Sequence, residues 1–109
     1  MSEKAQRSLL EGAIEDGPGV KNTFHEMLSA WSRGDVRAIA KVFNRDLADS
    51  PELADAVIVQ RNANWTKWVE QRMAQPGVVL VAVGAGHLAG KRSVIDMLEQ
   101  QGMTVRRVQ

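Results

Sequence analysis

Apolar positions along this chain change their spacing once, near Gln75-Pro76-Gly77, and the change divides the expected structure into two parts. Before it the spacing is helical. Leu9, Leu10, Ala13 and Ile14 form a stripe on a first helix running from Ser2 to about Asp16, closed by Gly17-Pro18-Gly19 because proline cannot continue a helix. Val20, Phe24, Met27, Leu28 and Trp31 fall at i, i+4, i+7, i+8 and i+11 on a second, clearly amphipathic helix, and Gly34 stands where a left-handed C-terminal cap belongs. Asp35 can accept a hydrogen bond from the following turn and so start a third helix, whose inner face is Val36, Ile39, Ala40 and Phe43. Asp46 to Ser50 is the break after it. Ser50-Pro51 reads as the N-cap and first-turn proline of a long helix with no breaker from Leu53 to Ala74. Inside it Val57-Ile58-Val59 favours strand locally, while the spacing of Val57, Trp65, Trp68 and Arg72 favours an unbroken helix.

After Pro76-Gly77 comes Val78-Val79-Leu80-Val81-Ala82-Val83, six apolar residues without alternation, the pattern of a strand covered on both faces as in a parallel sheet. Gly84 to Gly90 is a loop, Ser93 to Gln101 a short helix carrying Val94, Ile95, Met97 and Leu98, Gly102 its cap, and Met103 to Val108 a second strand. The expected fold is therefore α/β, a helical N-terminal two-thirds followed by a C-terminal β-α-β unit. Two parallel strands are too few to stand alone, so the expectation includes a sheet completed by a partner chain.

With 109 residues the chain is expected to be a single domain, 1–109. Surface scaling gives a folded chain of this size about 6,000 Å² of exposed area, enough for a thin core. A composition of 44% hydrophobic and 25% charged residues excludes disordered and coiled-coil classes. Fourteen basic against thirteen acidic residues leave a net charge of +1, which supplies no field toward nucleic acid or anionic lipid. The lack of cysteine removes disulfides, thiol nucleophiles and sulfur-ligated metals. Met1 to Arg7 is polar and leads into no long apolar run, so neither a signal peptide nor a membrane span is expected, and a cytosolic location is the default.

The loop after the apolar run carries the candidate chemistry. Gly84-Ala85-Gly86-His87 would bring one titratable side chain to the carboxyl end of a sheet, with glycines that let backbone approach closely, and an imidazole there can ligate a metal or act as a general base. A histidine hydrogen-bonded to backbone is the bland reading of the same residue. Gly84-x-Gly86-x-x-Ala89 also meets the loose form of a dinucleotide fingerprint, which keeps a nucleotide-phosphate binder using Gly84 to Gly90 as an alternative, although Arg106 and Arg107 replace the acidic residue expected beyond the next strand. The phosphate loop of nucleotide hydrolases fails at Ala85 and Arg92. His25 reads as a half-exposed helical side chain. Arg61, Trp65, Trp68 and Arg72 share a helical face that suits either a ligand wall or an interface, the latter making a non-catalytic interaction module a second alternative, with core tryptophans rimmed by arginines as the bland one.

At Gln60-Arg61-Asn62-x-x-Trp65 and at Val79-Leu80-Val81-Ala82-Val83-Gly84-Ala85-Gly86-His87-Leu88-x-Gly90 the chain resembles the TraB/GumN family, which includes the Tiki proteases, the pheromone-inhibiting or pheromone shutdown proteins and the GumN proteins. The resemblance runs from about Trp31-Ser32-Arg33-Gly34-Asp35 to the C-terminus and covers the late of the family's two Gly-x-x-His motifs. It implies a metal-dependent hydrolase, peptidase-like in the Tiki branch, with zinc, manganese or cobalt as the divalent ion. His87 is then metal ligand or base, Arg61 and Asn62 are catalytic-site residues, and Gly84, Ala85, Gly86, Trp65 and Trp68 are ligand-binding. Nothing here matches the early motif or its acidic neighbour, and Gln60, which cannot ionise, stands where the family often has glutamate. The chain thus resembles the C-terminal half of such a domain. A piece of a longer chain, a short relative that binds without catalysis, or a homodimer that assembles the site around two His87 loops would each account for this, with a peptide as the expected ligand.

Overall fold

The computed structural model describes residues 1–14, 19–45 and 47–108. Its elements are helices α1 (Glu3–Ile14), α2 (Gly19–Ser32), α3 (Val36–Arg45) and α4 (Pro51–Ala54), a wide π-helical turn Asp55–Val59, helix α5 (Gln60–Met73), a 3₁₀ turn Ala85–His87 and helix α6 (Val94–Gln100). The helix boundaries follow the sequence closely. Gly34, at φ +63°, closes α2, with the Asp35 amide donating to Ala30 O at 2.9 Å and the Gly34 amide to Trp31 O at 3.0 Å. Asp35 Oδ1 accepts from the Ala38 amide at 3.0 Å, and Ser50 and Ser93 cap α4 and α6 through Leu53 and Asp96. The break expected at Gly17-Pro18-Gly19 falls on residues 15–18, outside the described residues, and Gly19 itself opens α2.

The C-terminal β-α-β unit does not form, and the α/β assignment is corrected to a helical fold. Among the described residues there is no strand: residues 78–84 and 103–108 lie outside any helix and form no hydrogen-bonded ladder. A strand exists only as part of a hydrogen-bonded ladder, and an unalternating apolar run cannot itself say whether a ladder partner is present. Val78 is 99% and Leu80 92% exposed, the opposite of a strand buried on both faces. Replacing Val78 or Leu80 with lysine is therefore expected to change the unfolding free energy by less than about 0.5 kcal/mol in urea titrations.

A small core holds the middle of the molecule together. Ala30, Ile39, Ala40 and Ala89 join α2, α3 and the 84–90 loop, with Met27, Val36, Ala38 and Ala85 around them. Leu53 on α4, Ile58 in the π turn, and Val94 and Leu98 on α6, which packs against α5, are buried as well. Helix α1 is tied to α4 at its first turn, where Ser2 Oγ donates to Glu52 Oε2 at 2.6 Å, while Leu9, Leu10 and Ile14 further along it face solvent. The outer stripe of α2 is likewise bare: Val20, Phe24, Leu28 and Trp31 are all exposed. Consequently 8467 Å² is accessible, against about 6,000 Å² for a closed domain of this mass, and the radius of gyration is 15.9 Å against about 13 Å.

Candidate functional site

The site begins with a displaced helix turn. Along the segment from α4 to α5 the buried residues are Leu53, Ile58, Asn62 and Thr66, with separations of five, four and four. A regular α-helix repeats its inner face every three or four residues, so the five-residue step requires an inserted residue. The π turn at Asp55–Val59 supplies it, with the Gln60 amide donating to Asp55 O. This accommodates the β-branched run Val57-Ile58-Val59 without breaking the helix, and it turns Asn62 inward, where its side chain is fully buried.

The loop that faces Asn62 is seated on α3. A Cβ at Gly86 would lie 2.5 Å from Cε2 and Cζ of Phe43, and one at Gly90 would lie 3.0 Å from Cβ of Ala40. Phe43 and Ala40 are neighbours one turn apart on α3, and Ala89 enters the core between these contacts. The close backbone approach that the glycines permit is thus, at Gly86 and Gly90, an approach to α3. At Gly84 the nearest atom is His87 Cδ2 at 4.0 Å, an ordinary contact.

His87 leaves this loop through the 3₁₀ turn and meets Asn62. His87 Nδ1 lies 2.8 Å from Asn62 Oδ1, and Asn62 Nδ2 donates to the carbonyl oxygen of Arg92 at 2.9 Å. The second bond decides the first. Because the amide nitrogen of Asn62 is committed to a carbonyl, its oxygen faces the imidazole, and Nδ1 must carry the proton. Nε2 is left with a lone pair, the form a general base or a metal ligand needs. The Trp65 indole flanks the ring at 4.7 Å between centroids and 58° between planes. Burial lowers the His87 pKa from its ordinary 6.5, and the positive charge of Arg61 lowers it further.

A histidine whose pKa falls on folding binds its proton more tightly in the unfolded chain. Its contribution to stability is present above the ordinary pKa and is lost as pH falls through the folded value. Between about pH 8 and pH 5 the melting temperature of the wild type should therefore fall more than that of His87→Gln, with His25 common to both. In Arg61→Ala the His87 titration, followed by NMR, should move back toward 6.5. A movement in the opposite direction would refute the placement of Arg61 beside the ring.

Of the residues singled out from the sequence, the structure brings together His87, Asn62 and Trp65, with Arg61 close enough to act on the imidazole by charge. Gly84, Ala85 and Gly86 form the turn beneath them, while Trp68 sits a turn further along α5, half exposed. The parts that Phe43, Arg92 and Asp96 play at this site escaped sequence reasoning, which placed Phe43 only on the inner face of α3. Only Asp96 left a signal there, as the acid three residues after the Ser93 N-cap. The residues do not make a metal centre within one chain: Nε2 of His87 is one donor, and among the described residues no three His, Asp or Glu side chains converge. No helix among the described residues is long and apolar enough to cross a membrane. A groove of about 1040 Å³ opens on the other side of the loop, between Trp31 and Arg37 on one wall and Ile95, Asp96 and Arg106 on the other, and His87 does not line it.

No curated protein and no solved structure matches the chain. The sequence profile of the TraB/PrgY/gumN family matches residues 1–107, nearly the whole length. The paired Asn62 and His87 therefore sit in a chain that belongs to the TraB/PrgY/gumN family.

Proposed function

We propose that this chain is half of a hydrolase-like, peptide-directed site, in which His87 is the base and which a second copy of the chain completes. The observation that carries the reading is the Asn62–His87 pair: a neutral imidazole, fixed in one tautomer and presenting Nε2. A base needs that protonation state near neutral pH, and the lowered pKa keeps it. Arg61 suits a carboxylate or a developing oxyanion, and Trp65 gives a flat apolar wall. Among the described residues no three His, Asp or Glu side chains converge as a metal site would need. A facing protomer would supply a second acid or base beside Nε2, and with it further donors for a divalent ion. The open surface supports association, since some 2,500 Å² beyond a closed domain exceeds the roughly 800 Å² per partner of a standard interface. The nucleotide alternative has less behind it, because Phe43 occupies the space at Gly86 and Asp96 places a carboxylate in the first turn of α6.

Fluorescein-labelled casein is a suitable probe. Wild type is expected to cleave it at a rate that falls at least about a hundredfold in His87→Gln, the loss typical of removing a positioned base. Equal behaviour of the two proteins would refute the reading, and binding that depends on Trp68 alone would favour an interaction module.

A further inference from the structure

The His87 tautomer is traced above to Asn62, and the orientation of Asn62 is in turn traced to the carbonyl of Arg92. That carbonyl is held in an unusual place. Arg92 has φ +58°, the one non-glycine residue with positive φ among the described residues. Left-handed backbone is disfavoured for a residue with a Cβ, so something must hold it there. The contact that does so is Asp96. Its Oδ2 accepts the Arg92 amide at 3.0 Å and the Gln100 side-chain amide at 3.1 Å, while the Asp96 amide donates to Ser93 Oγ at 3.1 Å. In an ordinary capping box the acid three residues into the helix takes the amide of the N-cap residue. Here it takes the amide one residue earlier, which draws the chain back over the start of α6.

We infer that Asp96 and the left-handed backbone of Arg92 are positioning elements for His87, fixing through Asn62 which ring nitrogen carries the proton, although neither side chain contacts the imidazole. The order of action is Asp96 carboxylate, Arg92 peptide, Asn62 amide, His87 ring. The guanidinium of Arg92 has no part in it, because both of its roles are played by backbone atoms. The inference deepens the reading of His87 as a base and rests on it for the significance of Nε2, but its test needs no activity.

The experiment is two-bond ¹H–¹⁵N NMR of the uniformly labelled chain above the histidine titration range, with His87→Ala identifying the signals. Wild type is expected to show His87 protonated on Nδ1. Asp96→Ala should shift the tautomer ratio toward Nε2–H by about fivefold or more, the effect of losing one hydrogen bond. Arg92→Gly keeps both backbone groups and relieves the strain, so it should retain the wild-type tautomer. Ser93→Ala removes the other half of the same cap and controls for a weakened helix; it too should leave the tautomer in place. An unchanged tautomer in Asp96→Ala, or an equal shift in Ser93→Ala, overturns the inference while leaving the Asn62–His87 pair standing. Wild-type His87 protonated on Nε2 would instead overturn the pair and the proposed function with it.

Discussion

Asn62→Ala is expected to lower the unfolding free energy by about 3 kcal/mol, the largest loss from any single side chain on α5. Asn62 is fully buried and bonds at both ends of its amide, to His87 and to the Arg92 carbonyl. Removing it leaves two part-buried polar groups without their partners, at up to about 1 to 3 kcal/mol each, and a small cavity where the fully buried amide stood. Against a total of about 5 to 15 kcal/mol for a small domain, much of the population would unfold under mild urea. Asn62→Asp makes a useful contrast. It keeps an acceptor for Nδ1 but cannot donate to Arg92 O, and it buries a charge that would pull the imidazole toward its protonated form. Chemical denaturation checks the first variant and the His87 titration the second; a loss below 1 kcal/mol in Asn62→Ala would mean that the amide network carries little of the fold.

Gly86→Ala should cost about 2 to 3 kcal/mol for a different reason. The added methyl would stand 2.5 Å from two ring carbons of Phe43, too close for any real contact, so either the ring or the whole turn must move. Since His87 follows directly, movement of the turn would also lengthen its bond to Asn62. Phe43→Leu frees some of that space. In the double variant the two losses should be subadditive by 1 kcal/mol or more, which a double-mutant cycle reads directly. Strict additivity would show that Gly86 does not answer to Phe43.

Much of this was written in the local signals of the chain. Gly34, Asp35, Ser50-Pro51, Ser93 and Gly102 mark helix ends through their own backbone preferences and short hydrogen bonds, which depend on nothing distant. His87 stands out in the glycine loop and Trp65 on its helical face, Asn62 only through the family resemblance, and the structure puts the three side chains side by side. What could not be read depends on distant partners. The run from Val78 to Val83 has the composition of a buried strand, but burial and pairing are supplied by other segments, and none of the described residues supplies them. The inward turn of Asn62 needed a one-residue shift of helical phase that no residue type announces, and the glycines at 86 and 90 answer to α3, more than forty positions away in the chain. The amphipathic stripe of α2 misled in the other direction. Its Met27 and Ala30 are turned into the core, while Phe24, Leu28 and Trp31 are left exposed.

That exposed stripe leads to the central claim, that one chain is half of a working unit. Light scattering on the purified chain across a range of concentrations tests it most directly. The account predicts the mass of two 12.0 kDa chains, reduced to one by Phe24→Glu on the outer face of α2 without loss of helical circular dichroism. A wild type that stays at 12.0 kDa at every concentration, yet unfolds cooperatively, would contradict it.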